Sequence, residues 1–90
     1  MLTIEYGSRF KADYKRALKR GCNPAKLEAV LTILQNGGTL PAKNKDHTLT
    51  GNYKGWRECH IEPDWLLIYK IDGNRLVLLL NRTGTHSDLF

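Results

Sequence analysis

Three histidines, His47, His60 and His86, are the residues of this chain best suited to chemistry near neutral pH. An unperturbed imidazole titrates at a pH of about 6.5, so it can act as a general base or as a general acid. Metal-free cleavage of RNA needs both roles, because one group takes the proton of the 2′-hydroxyl while another protonates the leaving 5′-oxygen. A single histidine is more often a surface or capping residue, so only the set indicates this chemistry.

One of these histidines lies in a strand-like segment, residues 56–62, that also carries carboxylates. Strict alternation places Glu58 and His60 on one face together with Trp56 and Glu62, and directs Cys59 and Ile61 to the other. A neighbouring carboxylate can orient an imidazole or hold it protonated. The structural alternative, a solvated strand face, explains the same pattern equally well.

Net charge narrows the class of partner. Fourteen Lys and Arg against nine Asp and Glu give the chain a net charge of +5. Such a balance favours nucleic acid, an anionic membrane or an acidic protein. The basic residues include Lys45 and Lys54, which lie in a long polar loop over residues 39–55 and are candidates for phosphate contacts. Loops of this length in a small domain are usually functional or mobile.

Metal, cofactor and membrane functions are not indicated. Cys22 and Cys59 form neither a disulfide framework nor a CxxC pair, so we expect reduced thiols and a cytoplasmic protein. The histidines and cysteines lack the short spacing of zinc ligands, and we predict no metal and no cofactor. No apolar run approaches the ~20 residues that span a bilayer, and the first residues alternate like a strand rather than forming a signal peptide.

Two amphipathic helices are predicted in the first half of the chain. Ser8 is the expected N-cap of a helix that runs to about Arg20 and ends at Gly21. Asn23 is the expected N-cap of a second helix with Pro24 in its first position, closed by residues 36–38. The predicted buried positions are Phe10, Tyr14, Ala17 and Leu18 in the first helix, and Leu27, Val30, Leu31 and Leu34 in the second.

Strands dominate the rest. Period-two alternation predicts a first strand at residues 2–6. Strand-like runs predict three more at 56–62, 65–71 and 75–82, the last two joined by a turn at Asp72-Gly73. The last two strands are apolar on both faces, as central strands are. We therefore predict one α+β domain over residues 1–90, with two N-terminal helices packed on a mainly antiparallel sheet of about four strands.

Several motifs resemble a known family. Residues 45–57 read KDHTLTGNYKGWR, residues 60–65 read HIEPDW, and the chain ends in RTGTHSDLF. In combination these resemble the YafQ branch of the RelE/ParE toxin superfamily, over nearly the whole chain and more weakly across the helices. One position departs from the pattern, because many relatives have Asp two residues before the strand histidine and this chain has Glu58.

The resemblance implies a toxin of a toxin–antitoxin pair that cleaves mRNA in the ribosomal A site without a metal ion. Cleavage by such a toxin leaves a cyclic phosphate and a 5′-hydroxyl. The toxin is neutralised by a cognate antitoxin, and it reaches operator DNA only through the antitoxin complex. Carried over by position, the acid–base and phosphate-binding roles fall on four residues: His47, His60, Asp64 and His86. Predicted RNA contacts are Glu58, Trp65, Phe90, Lys45, Lys54 and Arg82.

Some of these assignments have structural alternatives. Trp65 opens an apolar strand and could be a core residue, Asp64 after Pro63 could serve a turn, and Phe90 could be a frayed end. Two other functions also fit the composition. A non-catalytic nucleic-acid-binding or repressor module would need its lysines but not its histidines, and a ribonuclease acting on free RNA would not need the ribosome.

Overall fold

A computed structural model describes all 90 residues, and it confirms the α+β class. Two N-terminal helices cover one face of a five-stranded sheet with the strand order β1-β5-β4-β3-β2, in which β1 runs parallel to β5 and the other pairs are antiparallel. The elements are β1 (Thr3–Tyr6), α1 (Ser8–Lys19), α2 (Pro24–Gln35), β2 (His47–Thr48), β3 (Arg57–Glu62), β4 (Trp65–Asp72), β5 (Val77–Gly84) and α3 (His86–Leu89). No helix is long and apolar enough to cross a membrane.

The start of α1 differs from the prediction. Ser8 is the first helical residue and Gly7 is the N-cap, without a side-chain cap. The cause is a close approach to β5, since the Gly7 N–H donates to Leu80 O over 2.9 Å. A Cβ on Gly7 would lie 2.7 Å from that same oxygen. A glycine is therefore required at the junction, and the helix begins directly after it.

The start of α2 confirms its prediction. The Asn23 side chain accepts a hydrogen bond from Ala25 N over 3.0 Å, and Pro24 is the first helical residue. Proline costs nothing there because the first N–H groups of a helix have no partner within it. All four apolar positions predicted for α2 are buried.

The main core lies between the two long helices and one face of the sheet. Phe10 and Ala17 of α1 are buried there and Tyr14 packs at its edge, but Leu18 is 42% exposed, so its predicted place in the buried stripe is wrong. The sheet contributes Cys59, Ile61, Trp65, Leu67, Tyr69, Leu78 and Leu80.

The other face of the sheet carries a second, smaller cluster. Leu66 and Ile68 of β4 pack there against Leu89 of α3, with Trp56 and Tyr53 at its margin. Alternate residues of β4 thus enter different clusters, which confirms the prediction of a central strand that is apolar on both faces. The short α3 closes this second cluster.

The polar loop is more ordered than predicted. It contains two 3₁₀ turns, at Ala42–Asn44 and Gly51–Tyr53, and between them the two-residue strand β2. The buried Asn44 donates from Nδ2 to His60 O over 2.7 Å and ties the loop to β3. Strand β2 lies at the edge of the sheet and is one strand more than the four predicted. It could not be predicted because hydrophobic periodicity does not reveal a strand of two polar residues.

The last hairpin also departs from the predicted turn. Residues 73–76 form a four-residue connection, and β5 begins at Val77 rather than at Arg75. Asp72 Oδ1 accepts from the backbone N–H groups of Asn74 and Arg75 over 3.1 and 3.2 Å. This side-chain acceptor replaces the tight two-residue turn that the Asp-Gly pair suggested.

A buried carboxylate fastens α1 to β5. Asp13 is 4% exposed and accepts from Arg82 Nε and Nη2 over 2.6 and 3.0 Å. It also accepts from Arg16 Nη2 over 2.7 Å and from Thr83 N over 3.2 Å. Because a carboxylate has about four acceptor positions, Asp13 is fully satisfied. The pair raises the pKa of Arg82 above its ordinary value, chiefly through the hydrogen bond to Asp13.

We predict that Asp13→Ala lowers the free energy of unfolding by about 3 kcal/mol, because it leaves a mostly buried guanidinium without its partner. Urea denaturation of the two proteins measures the difference. Glu5→Ala is the matched control, since it breaks an ion pair to Arg75 whose side chains are 48% and 58% exposed. We expect the control to cost less than about 1 kcal/mol, and equal losses in the two variants would contradict the prediction.

Candidate active site

The two-residue strand β2 brings His47 beside Glu58. The sheet register pairs His47 with Glu58, and His60 follows two residues later on the same face of β3. The Nε2 atoms of His47 and His60 lie 3.5 and 3.8 Å from the same carboxylate oxygen, Glu58 Oε1. The sequence predicted Glu58 and His60 as neighbours, and the structure adds His47 to them.

Both imidazole rings are oriented by backbone carbonyls. His47 Nδ1 lies 2.7 Å from Lys45 O, and His60 Nδ1 lies 3.1 Å from Pro63 O. A carbonyl oxygen can only accept, so each Nδ1 carries the proton and each Nε2 points to Glu58. In the neutral ring Nε2 is then a free base, and in the charged ring it is an acid.

Glu58 is not part of a solvated strand face. It is 4% exposed, and its Oε2 is buried without a hydrogen-bond partner. Burial of an ionised carboxylate is costly unless a charged or hydrogen-bonding neighbour offsets it. The two Nε2 atoms are the only such neighbours beside its other oxygen. The two imidazoles are therefore the groups placed to compensate the burial of this carboxylate.

Glu62 does not belong to the histidine face, where alternation predicted it. The register of β3 against β4 shifts between His60 and Glu62. The Glu62 carboxylate forms an ion pair with Lys26 of α2, on the helix side of the sheet. A bulge thus inserts one residue and reverses the alternation. Trp56, in contrast, lies with the second cluster on the predicted face.

The third histidine approaches from the chain end. His86 is the first residue of α3, and its backbone N–H donates to Asp64 Oδ1 over 3.3 Å. Since His60 binds Pro63 O, the adjacent residues of the β3–β4 turn hold both histidines at one end of the sheet. Asp64 is exposed and contacts the backbone of His86. Its hydrogen bond therefore places Asp64 beside the third histidine.

Two aromatic rings extend the site beyond His86. The ring of Phe90 is 4.9 Å from the His86 ring and 5.7 Å from Tyr53, centroid to centroid. Phe90 remains 56% exposed, although its backbone N–H is bonded to His86 O, so it is not a frayed end. Both rings line a cleft of about 470 Å³ between the loop and α3, together with Thr50, Asn52, Ser87, Asp88 and Leu89. Tyr53 is not among the contacts predicted from the sequence, although an aromatic residue within a basic loop was the available signal.

Two predicted RNA contacts are engaged by other side chains of the protein. Trp65 is 4% exposed, and its Nε1 donates to Thr83 Oγ1 over 2.9 Å. Arg82 is bound to Asp13, and its side chain is 13% exposed. These placements give Trp65 and Arg82 structural roles and favour the core alternative for Trp65. Lys45 and Lys54, in contrast, are exposed in the loop that carries His47.

The half-buried carboxylate of Asp46 holds the segment before His47. Asp46 accepts from Tyr69 OH over 2.6 Å and from Arg57 Nε over 3.2 Å. Burial and the bond to Asp46 raise the pKa of Tyr69, so the phenol stays protonated and remains a donor. The same carboxylate raises the pKa of Arg57 through its hydrogen bond. The loop is thereby fixed to β3 and β4 one residue before the histidine.

The buried cysteine is not a nucleophile. Both are free thiols, and Cys59 is fully buried in the main core. Burial raises the pKa of Cys59 to about 12, which keeps it a neutral thiol. No group of three or more His, Cys, Asp or Glu side chains is arranged to hold a metal ion.

We predict that His47 and His60 are Nδ1–H tautomers when their rings are neutral. Long-range ¹H–¹⁵N spectra of the ring nitrogens at alkaline pH report which nitrogen carries the proton. His86 is the internal control, because its ring packs on Phe90 and its hydrogen bond to Asp64 is made by the backbone N–H. Protonated Nε2 in either of the first two rings would contradict the orientation of that ring toward Glu58.

Comparisons with known proteins agree with this geometry. The family model described as bacterial toxin of type II toxin–antitoxin system, YafQ, matches residues 2–90. The chain is 47% identical over 88 residues to the mRNA interferase toxin YafQ of Escherichia coli K12, covering 97% of this chain and 94% of that one.

Solved structures show the same fold. A metal-bound toxin from Helicobacter pylori superimposes with a TM-score of 0.94 at 43% identity over all of both chains. A chain of the E. coli DinJ–YafQ complex gives a TM-score of 0.88 at 45% identity, over 100% of this chain and 99% of that one. This chain therefore belongs to the YafQ family of bacterial toxins of type II toxin–antitoxin systems.

Proposed function

We propose that this toxin is a ribosome-dependent endoribonuclease that cleaves mRNA in the ribosomal A site by histidine acid–base catalysis. The observation that carries the proposal is the pair of oriented imidazoles on the buried Glu58, with His86 at the same end of the sheet. The E. coli relative named an mRNA interferase supports the substrate class.

The reaction needs no group beyond these side chains and the substrate. The 2′-oxygen attacks the adjacent phosphorus, and the 2′-hydroxyl proton passes to a neutral imidazole Nε2. The P–O5′ bond breaks, and a protonated imidazole gives its proton to the 5′-oxygen. The products are a cyclic phosphate and a 5′-hydroxyl, with the proton count unchanged. DNA is excluded because it has no 2′-hydroxyl to act as the nucleophile.

Glu58 supports both proton transfers. Its ionised form stabilises the charged imidazole that arises when a ring takes a proton, and its burial keeps that interaction from being screened by water. Lys45 and Lys54 are exposed on the same loop and can stabilise the charge that develops on the phosphate. Tyr53 and Phe90 offer faces on which a base can stack, worth ~1–3 kcal/mol per base.

The charge of the chain indicates the kind of partner that it binds. A net charge of +5 and exposed lysines on α1 suit ribosomal RNA as well as an acidic antitoxin segment. The E. coli relative solved with DinJ supports a cognate antitoxin as the neutralising partner. Operator DNA would be reached only through that complex, and the place of action would be the cytoplasm, where translation occurs.

We expect ribosome dependence in a purified assay. A domain of 90 residues has little room for a deep groove of its own, so the ribosome must present the RNA in the reactive geometry. The protein should cut mRNA rapidly on programmed ribosomes and slowly as naked transcript, with His86→Ala as the inactive control. Equal rates on both substrates would favour a ribonuclease that acts on free RNA.

We also expect binding and catalysis to separate by residue. Neutralising Lys11, Lys15 and Lys19 to Gln should weaken ribosome binding and reduce the slope of its logarithm against the logarithm of salt concentration by about 2, with single-turnover cleavage at saturation nearly unchanged. His60→Gln should slow saturating cleavage by about 100-fold or more and leave binding intact, because an amide cannot transfer a proton near neutral pH.

A triple Lys→Arg variant is the control for the lysine experiment, since it keeps the charge. The reverse pattern, in which the lysine variant loses the saturating rate and His60→Gln retains it, would support a non-catalytic nucleic-acid-binding module instead.

A further inference from the structure

The helix that carries His86 is too short to hold its own position. It spans only His86–Leu89, and a single helical turn is unfavourable without outside contacts. One contact is local, a capping box in which Thr85 and Asp88 satisfy each other's backbone N–H groups over 3.1 and 2.9 Å. Leu89, buried in the second cluster, is another.

A further contact comes from the far end of α1. Arg20 Nη1 and Nη2 donate to Asp88 Oδ2 and Oδ1 over 2.6 and 3.4 Å, across 68 positions of sequence. The backbone of Arg20 is fixed, because the residue caps α1 and its N–H bonds to Arg16 O and Ala17 O. Asp88 also belongs to the capping box of α3. The Arg20 guanidinium therefore contacts α3 at the residue that caps the helix.

The backbone beneath Asp88 is shaped for this contact. Gly84 has φ +154°, and a Cβ there would lie 2.9 Å from Asp88 Oδ2. The carboxylate is 15% exposed in this position. Arg20 first, and then the Thr85 N–H, hold the pKa of Asp88 well below its ordinary value, so the carboxylate is charged at neutral pH.

We propose that Arg20 is a positioning residue for catalysis, which acts through Asp88 to hold α3 and thereby His86 at the active site. The inference rests on the proposed function, since it assumes that His86 takes part in cleavage. The side-chain hydrogen bonds of Arg20 both go to Asp88. The alternative role for Arg20 is one more phosphate contact on the basic face of α1.

The two roles predict different kinetic changes. A positioning residue affects the saturating rate, because displacement of a catalytic group by about 1 Å can cost up to 100-fold. A phosphate contact affects affinity and its salt dependence. We therefore expect Arg20→Gln to lower kcat on programmed ribosomes by about tenfold or more, with KM nearly unchanged. Arg20→Lys should restore part of the loss.

The matched control is Arg75→Gln. It removes an exposed arginine that forms a 3.0 Å ion pair with Glu5, remote in sequence from α3 and outside the proposed machinery. We expect wild-type kcat and KM. Asp88→Asn tests the other half of the pair, and in the double variant with Arg20→Gln the loss should be no greater than in the worse single variant.

Amide hydrogen exchange in the free toxin tests the contact between Arg20 and Asp88 in the absence of ribosomes. Residues 86–90 should lose protection in Arg20→Gln and Asp88→Asn while α2 and β4 stay protected, which also shows that the variants fold. Arg75→Gln should match the wild type throughout.

Two results would overturn the proposal: wild-type kcat with a raised KM in Arg20→Gln, or a lowered kcat with unchanged protection of residues 86–90. Failure of the proposed function is distinguishable, because His86→Ala would then cleave at the wild-type rate whatever the exchange data show for α3.

Discussion

The carboxylate of Asp13 stands where β5 loses its neighbouring strand. β1 pairs only with Val77–Leu80. The backbone groups at that edge of the remaining β5 residues therefore have no neighbouring strand to bond with. Asp13 accepts the Thr83 N–H at that edge and binds the Arg82 guanidinium beside it. Thr83 in turn donates to Leu66 O and accepts from Trp65, so one helix side chain fixes the register of α1, β5 and β4 together. The segment that carries His86 begins directly after this anchor.

The chain buries a second carboxylate in a different way, and the contrast separates structure from chemistry. Asp13 has a hydrogen-bond donor for each acceptor position, which is how a buried charge is made tolerable. Glu58 is equally buried but keeps Oε2 without a partner, and Oε1 faces two imidazoles at 3.5 and 3.8 Å. Unsatisfied buried polar groups are rare in folded proteins and call for an explanation. The two facing imidazoles are the polar neighbours that the geometry places beside it.

The sequence pattern predicted the structure correctly wherever the feature depended on a single helix or strand. The Asn23 cap and the two-faced β4 were predictable because caps and periodicity act within one element. Prediction failed where a distant backbone intervened. Gly7 took the cap position from Ser8 because β5 approaches it, and a bulge opposite β4 turned Glu62 to the helix side. Alternation could place Glu58 and His60 together, but not His47, since that needed the register of a two-residue strand.

The three histidines have one feature in common, which is that polar contacts position them more than the core does. His47 follows Asp46, which is held by Tyr69 and Arg57, and His60 lies on the backbone that Asn44 fixes. His86 sits on one helical turn held by its capping box and an ion pair. Contacts of this kind contribute little to the buried apolar area that dominates stability, yet they set distances to within tenths of an ångström. In so small a domain, the residues of the candidate site are therefore largely separate from those of the core, and we expect that a variant can lose its activity while its core remains intact.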